Sequence, residues 1–344
     1  WYSINSKIQY GFSDQQLRGQ IQLTYNFNRT KFTRLRLTAG SWVAQLSDQD
    51  PVSPFWDTYS SLFFKNNFIR LYEKDFVHFH FRQEIVNGLF LRSSLEYARR
   101  RFLSNQTNHS WFFKSRLYDP NSFRSEGDPA IDFSDQEALI FKLSLRFRFK
   151  QKYLSYPQRK YIEGSDWPDF WIHYKKGIQG FGTESDFDQI RFNIKDELTF
   201  GILGFSSFNL EVGTFLRQEQ LSFVDHQHFN GNRLGFAKVE DYYTSFLLLP
   251  YYQFSTSNSW FQGHYEHHFE GFLFDKIPLL RRWNLKSVLR ASFLYTEDRK
   301  DYLELSFGLE NLGFGALRVF RLDLVNAFWR GSHVQTGLVL GIDL

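Results

Sequence analysis

The sequence contains no cysteine, and this absence excludes several kinds of chemistry at once. With no Cys among 344 residues, the chain has no disulfide framework and no thiol or Cys-zinc chemistry. It also lacks any apolar run approaching the roughly 18 residues of a transmembrane helix. The formal net charge of +4 is scattered along the chain and does not indicate nucleic-acid binding.

Aromatic residues, by contrast, are abundant. They make up 20% of the chain, including 41 Phe and 18 Tyr, which is far above the usage of ordinary globular domains. Yet the mean hydropathy is −0.43, and 23% of the residues are charged. This combination is unusual for a soluble core. It is typical of a membrane β-barrel, whose lipid-facing and lumen-facing residues average out.

The stretch 136–150, QEALIFKLSLRFRFK, shows the pattern most clearly. One parity is apolar and comprises Leu139, Phe141, Leu143, Leu145, Phe147 and Phe149. The other is polar or cationic and comprises Lys142, Ser144, Arg146, Arg148 and Lys150. Successive side chains of a strand point to opposite faces. The pattern lasts about eleven residues, roughly what a tilted strand needs to cross a bilayer. We therefore predict that the apolar face meets lipid and the cationic face lines a wet lumen.

Similar segments recur and predict about 14 strands. They lie near 2–10, 17–27, 35–39, 77–82, 89–97, 136–150, 169–176, 188–200, 204–216, 258–272, 283–295, 302–311, 316–328 and 332–344. Their lengths and spacing predict an all-β fold, a transmembrane up-and-down antiparallel β-barrel of about 14–16 strands. A soluble β-sandwich is the alternative, but it does not require so many Phe and Tyr on one parity.

The gaps between these segments are of two lengths. Long gaps lie near 45–73, 101–135 and 218–257, and short ones near 28–31, 86–88, 200–204 and 312–315. Such barrels have long extracellular loops and short periplasmic turns. The alternation of long and short gaps holds only if 242–254 lies within the third long loop. The segment 150–168, with Pro157 and Pro168, is then an unusually long periplasmic turn.

The sequence HYEHH at 264–268 is a candidate metal site. His264, Glu266 and His268 share one strand face, but their spacing spreads them over about 13 Å, too far for one ion. We favour a polar ladder in the lumen, and the same holds for His78 and His80. No Ser-His-Asp set is singled out either. We therefore expect no metal, no cofactor and no enzymatic activity.

Several segments resemble an uncharacterised Bacteroidota family, in which an outer-membrane barrel follows a carboxypeptidase-regulatory-like domain. The matching stretches are LFFKNNFIRLYEKDFV (62–77), NGLFLRSSLEYARR (87–100), DHQHFNGN (225–232) and LLPYYQFSTSNSWFQGHYEHHFEGFLFDKIPLLRR (248–282). The resemblance implies that 1–344 is a single outer-membrane barrel domain. The chain opens at Trp1 without Met, so we expect it to be the C-terminal part of a longer precursor.

The last third also resembles the BamA/TamA assembly-factor superfamily. In that pattern a lumen-inserted loop precedes a strand, a Pro-containing turn and a C-terminal β-signal. SWFQGHYEHHF and Ile277-Pro278 occupy the corresponding places here. Asn232-Arg233-Leu234-Gly235-Phe236 departs from the superfamily's Arg-Gly-aromatic loop tip. Glu266 matches the lumen acid that anchors the loop.

The loop itself offers several anchoring residues. Arg233 is the expected ionic partner of Glu266, with Asn230 and Asn232 as neutral alternatives. Gly231 follows an Asn, which favours a tight turn with positive φ. His264 and His268 flank Glu266 on its own face. The expected lumen anchor therefore combines these residues with the acid.

The expected function is assembly, insertion or translocation of outer-membrane or surface proteins in a Gram-negative outer membrane. The expected partners are outer-membrane lipids, lipopolysaccharide and other outer-membrane or periplasmic proteins, but no nucleic acid. A channel or transporter is the alternative, with the lumen arginines conferring anion preference, and a structural scaffold subunit is a third. A weakly paired seam between the first and last strands would favour assembly over a channel.

Overall fold

The structure of the chain is a computed structural model that describes residues 1–122, 135–238, 242–274, 276, 281, 283–314 and 317–342. The named helical pieces in this part are short. They include α1 (Pro54–Tyr59), a π-helical turn (Ser60–Phe64) and the 3₁₀ turns Gly201–Leu203 and Phe223–Asp225. None of the described helices has the length and apolar character needed to cross a membrane.

Strands form the rest of the architecture, and each of the 14 predicted strands is present. The strands are β1 (Tyr2–Gly11), β2 (Gln16–Asn28), β3 (Thr33–Gln45), β4 (Leu71–Val86), β5 (Leu89–Phe102), β6 (Gln136–Arg148), β7 (Lys152–Tyr156), β8 (Arg159–Gly164), β9 (Asp169–Gly177), β10 (Asp186–Thr199), β11 (Phe205–Gln220), β12 (Phe236–Lys238), β13 (Trp260–His268), β14 (Lys286–Thr296), β15 (Lys300–Phe314), β16 (Leu317–Trp329) and β17 (Ser332–Ile342).

Fifteen of these strands belong to one sheet. Its order is β1-β2-β3-β4-β5-β6-β9-β10-β11-β13-β14-β15-β16-β17-β12. Consecutive long strands are therefore neighbours, as an up-and-down topology requires. The exception is β12, which pairs with β17 in parallel. The sheet order begins with β1, whose strand partner is β2.

The chain forms two compact units. The first comprises Trp1–Phe192 with Thr214–His226, and the second comprises Asn193–Gly213 with Gln227–Leu344. The first unit contains a small apolar cluster of Ala138, Ile140 and Phe187, against which Phe215 and Leu221 pack. The second contains a cluster of Tyr242, Leu247, Val325 and Val339, with Ala237 and Leu248 packed against it.

The alternation predicted from the sequence appears as a difference in exposure. On β2, Leu17 and Ile21 are exposed whereas Arg18 and Thr24 are buried. On β4, Val77 and Phe79 are exposed, while His78 and His80 on the other parity are half-buried. The polar parity is therefore the more protected one in this unit.

The segment 150–168 differs from its prediction as a long turn. It forms the separate hairpin β7–β8, in which Tyr156 pairs with Arg159 across the Pro157-Gln158 tip. Proline fixes φ near the value that the first central position of a common turn requires. Lys160 ties the hairpin to the main sheet by an ion pair of 2.5 Å with Glu84. The extra length therefore builds a second small sheet.

Several other loops and turns agree with their predictions where the structure describes them. Residues 242–254 contain no strand and lie within the third long gap, as predicted. The short gaps at 86–88 and 200–204 are a two-residue turn and a 3₁₀ turn. Residues 123–134 of the second long gap and the Ile277-Pro278 pair lie outside the described residues.

Candidate functional site

Strands β13 to β16 bury many of their charged side chains and expose many of their apolar ones. The buried polar side chains include His264, Glu266, His268, Arg290, Ser292, Glu304, Ser306, Arg321 and Asp323. The alternate residues Tyr265, Leu289, Leu305, Phe307, Leu322 and Leu324 are all more than a third exposed. A sheet with one face in water does the opposite: it buries its apolar side chains and exposes its polar ones. The candidate site lies on this buried, charged face of the second unit.

Glu266 forms the centre of an ionic network on that face. Its Oε1 atom accepts a hydrogen bond of 2.8 Å from Arg321 Nη2 and lies 3.8 Å from Arg290 Nε. All three side chains are 1% exposed. Charges removed from water this completely are stable only when they compensate one another with good geometry. The three side chains therefore depend on one another.

Arg321 extends the network to two more carboxylates. Its Nε donates to Asp323 at 2.7 Å, and its Nη1 donates to Glu310 at 3.2 Å. The ring of Tyr242 lies 4.1 Å from its guanidinium carbon. One arginine thus binds three acids and stacks on a loop residue, a role that suits its planar fork of donors.

The loop before β13 is bound to this network through its main chain. Arg290 Nη2 donates to the carbonyl of Tyr242 at 3.0 Å and also to the carbonyl of Ser245. A helix or strand would satisfy such carbonyls internally. In this irregular segment the arginine provides the missing donors.

Glu304 binds the next part of the loop with the opposite polarity. Its two carboxylate oxygens accept the main-chain N–H groups of Leu247 at 2.7 Å and Leu248 at 2.8 Å. Tyr302 donates a further hydrogen bond of 2.8 Å. Glu304 is 1% exposed, so these donors take the place of solvent around its charge.

The Tyr242 phenol connects the apolar and ionic parts of the site. It donates a hydrogen bond of 3.0 Å to Asp323 and is fully buried. Burial raises the pKa of the Tyr242 phenol, and the Asp323 carboxylate raises it further. The phenol therefore remains protonated at neutral pH and acts as a donor.

The two histidines of the predicted ladder have separate partners. His264 Nδ1 lies 3.0 Å from Ser292 Oγ, and Phe246 packs against its ring at 4.7 Å. His268 Nδ1 lies 3.1 Å from Glu310, while its ring stacks on Phe205. No group of three or more His, Asp or Glu side chains within the described residues is arranged to hold a metal ion.

The loop residues singled out in the sequence organise the loop itself. The carbonyl of Asn230 accepts the Phe246 N–H at 2.7 Å, and the side-chain oxygen of Asn232 accepts the Leu234 N–H at 2.8 Å. Asn232 is buried, whereas Arg233 is exposed. The arginines that contact Glu266 are those on strands β14 and β16.

Gly231 differs from its sequence prediction. Its φ does not lie in the left-handed region, so the expected positive-φ turn is absent. A Cβ atom at this position would lie 2.1 Å from the carbonyl oxygen of Leu249. Two segments of the loop approach each other here, and Asn232 N donates to that same carbonyl at 3.0 Å. Glycine is required for close backbone contact.

Arg290, Glu304, Arg321 and Asp323 were not among the residues predicted from the sequence to form the site. Each lies on the polar parity of a predicted strand, which was a sufficient signal to place it on the buried face. Which of these residues contact the loop depends on the register between strands. The registers Glu266↔Arg290 and Arg290↔Ser306, for example, are set by pairing across the sheet.

Comparison with known proteins gives one family and one fold. The model of the C-terminal domain of a family of unknown function, DUF5686, matches residues 1–309. No curated protein matches the chain.

Among solved structures, the chain is similar to BamA from Haemophilus ducreyi lacking POTRA domains 1–3. The identity is 10%, the TM-score is 0.50, and the match covers 98% of this chain and 68% of that one. At this identity the likeness concerns the fold. It confirms the predicted class, an antiparallel up-and-down β-barrel of the BamA kind.

Proposed function

We propose that this chain, which belongs to the DUF5686 family because residues 1–309 match that family's C-terminal domain, is an outer-membrane protein. It assists the assembly, insertion or translocation of other outer-membrane or surface proteins. It acts alone or within a larger complex, in contact with outer-membrane lipids and lipopolysaccharide. No covalent bond is broken in this activity. The chemistry is hydrogen bonding between strands.

The outer edge of β17 is the observation that carries this proposal. On one side β17 pairs with β16 along its length, with one register shift at Ala327/Phe328. On its other side, among the described residues, only Leu340–Ile342 have a strand partner, the three-residue β12. Unpaired N–H and C=O groups on a strand edge are a template for an incoming strand. A client strand would add to the free part of β17.

The exposure of β17 fits such a role. Residues 332–336 are exposed on both parities, and Leu338 is 63% exposed. The β1 strand, which begins the sheet order, is exposed along nearly its whole length. Edge strands that must avoid pairing are usually short, charged or covered. Strands β1 and β17 do not fit this description over their exposed parts.

Leu338 is the position at which to test the edge. Leu340 N donates to the Gly235 carbonyl across the outer edge at 2.9 Å. Alternate residues of a strand direct their N–H groups to the same side, so Leu338 N–H faces that edge too. Leu338→Pro removes this donor without removing a hydrogen bond to β16, and Leu338→Ala retains it.

The experiment uses a deletion strain complemented with the full-length protein. Quantitative proteomics of the purified outer membrane should show a defined set of proteins lost on deletion. Wild type and Leu338→Ala should restore that set, while Leu338→Pro, present at the same level, should not. An unchanged outer-membrane proteome, together with ion conductance of the purified protein in planar bilayers, would favour a channel instead.

A further inference from the structure

Four arginines of the first unit, which we call the arginine row, crowd one sheet face. Arg34 on β3 faces Arg82 on β4, and Arg82 in turn faces Arg92 on β5. Arg36 lies two residues along β3 on the same face. Directly opposed side chains have Cβ atoms about 5 Å apart, where like charges destabilise a sheet. A bound anion would relieve this repulsion.

The carboxylates on the same strand faces are already engaged. Glu84, two residues from Arg82, binds Lys160 at 2.5 Å. Glu96, on the β5 face that carries Arg92, binds Lys74 at 2.8 Å. Asp169 binds two arginines of β6, each at 2.6 Å. Within the described residues, no member of the arginine row forms an ion pair with an acid.

Several buried donors beside the row also lack acceptors. In the part of the chain that the structure describes, the Nε atoms of Arg36, Arg82 and Arg146 and the Nε1 atom of Trp171 are buried without a hydrogen-bond partner. The ring of Trp171 lies 5.1 Å from the guanidinium carbon of Arg92 and 5.2 Å from that of Arg146. Buried donors normally have acceptors. These donors are therefore available to a ligand that is rich in acceptor oxygens.

We propose that the arginine row is a binding site for a ligand carrying two phosphate groups. Guanidinium forks match phosphate oxygens in pairs, and such charge-assisted bonds are strong and directional. The strands hold these arginines on a rigid sheet, so the site is formed before the ligand arrives. Its location and chemistry are independent of strand exchange at β17.

Charge balance selects a diphosphate over a single phosphate. The row carries four positive charges, and a phosphate monoester carries about −1.5 to −2 at neutral pH. Two phosphate groups therefore come close to neutralising the row. The backbones of Arg34 and Arg92 are two strand spacings apart, about 10 Å, so two phosphate groups reach the guanidinium groups of both more readily than one does.

Inorganic pyrophosphate is the probe for a direct test. The full-length protein in detergent is titrated with pyrophosphate in a calorimeter, and saturable binding is expected. Arg82→Gln removes the central charge and should weaken binding about tenfold or more. Without ligand, this variant should unfold at a higher temperature than wild type, because two repulsive contacts are relieved. That second measurement also establishes that the variant is folded.

The matched control is Arg217→Gln, which removes the same charge elsewhere in the first unit. Arg217 forms an ion pair of 2.5 Å with Asp186, and the Arg217 side chain is half-exposed. Its variant should retain the wild-type affinity for pyrophosphate. Equal weakening by both substitutions would reduce the effect to net charge and overturn the proposal, as would the absence of saturable binding by wild type.

A second arm identifies the source of the phosphates. The protein is placed in phosphatidylcholine nanodiscs with or without bisphosphorylated lipid A, and pyrophosphate binding is measured again. Loss of pyrophosphate binding to wild type when lipid A is present, together with failure of the Arg82→Gln variant to retain lipid A, would assign a lipid headgroup. Undiminished binding would assign a soluble diphosphate.

Discussion

Buried charge is the dominant feature at the scale of single residues. Glu266 and Arg321 are both 1% exposed and joined by a bond of 2.8 Å. Neither has access to water, so removing one leaves the charge of the other only partly compensated, by Asp323 and Glu310 around Arg321 or by Arg290 beside Glu266. The cost of such a loss is typically about 3–5 kcal/mol, much more than the net value of the intact pair.

A double-mutant cycle should therefore reveal strong coupling. We expect Glu266→Ala and Arg321→Ala each to destabilise the protein by about 3–5 kcal/mol. The double substitution should cost clearly less than their sum, because it leaves no stranded partner between them. Urea unfolding in lipid vesicles, followed by tryptophan fluorescence, measures all four corners of the cycle.

A comparison cycle combines Glu266→Ala with Arg233→Ala instead of Arg321→Ala. Arg233 is the loop residue that the sequence paired with Glu266, and its side chain is exposed. We expect Arg233→Ala to be mild and additive with Glu266→Ala. If Glu266 were coupled to Arg233 and independent of Arg321, the arrangement of the ionic network described above would be wrong.

At the scale of elements, the loop before β13 provides both an anchored segment and a strand. Arg290 and Glu304 bind its main chain near Tyr242 and Leu247. The preceding β12 lies along the C-terminal end of β17 in parallel register, Phe236 opposite Leu340. The loop that the ionic network holds therefore also carries β12, and β12 limits the free edge of β17.

An engineered disulfide can test this placement without competing thiols, because the chain contains no cysteine of its own. We expect Phe236→Cys with Leu340→Cys to form an intramolecular bond under mild oxidation, because opposed strand residues meet the distance requirement. Mobility on a non-reducing gel reports it, and either single substitution is the control. A pair that stays reduced while the protein is folded would contradict the β12–β17 register.

At the scale of the whole molecule, the exposed parity is the apolar one. Along β2, Ile21 is 56% and Leu23 is 44% exposed, whereas Gln22 between them is half-buried. Leaving so much apolar surface exposed in water would be unfavourable at about 25 cal/mol per Å². Lipid removes that cost, which is why the proposed location is a membrane.

Neighbouring arginine substitutions should separate the two faces. Leu23→Arg places a charge on the proposed lipid face near the middle of β2, and we expect a loss of about 2–4 kcal/mol. Gln22→Arg places the same charge on the polar face, opposite the neutral Asn5 and Thr38, and should be nearly neutral. Folding yield in lipid vesicles measures both, and equal yields would argue against the lipid-facing assignment.

Several features followed from the sequence alone. Period-two alternation is a local property of the chain, so the strands near 17–27, 136–150 and 332–344 could be located without knowing their neighbours. The same alternation placed Glu266, His264 and His268 on the polar face. Other features were not recognised because they have no such local signal: β12 is only three residues long, and the β7–β8 hairpin lies around Pro157.

The tertiary structure decided which residues meet. Glu266 and Arg321 are 55 positions apart, and a one-residue change of register along any intervening strand would direct one of them to the exposed face. The row of Arg34, Arg82 and Arg92 likewise exists only because three strands pair in one particular register. Parity is written in the sequence of each strand, whereas register is the joint result of turns, bulges and cross-strand contacts. The sequence therefore determined the lipid-compatible pattern of each strand. The tertiary structure determined the ionic network, the position of the loop before β13 and the arginine row.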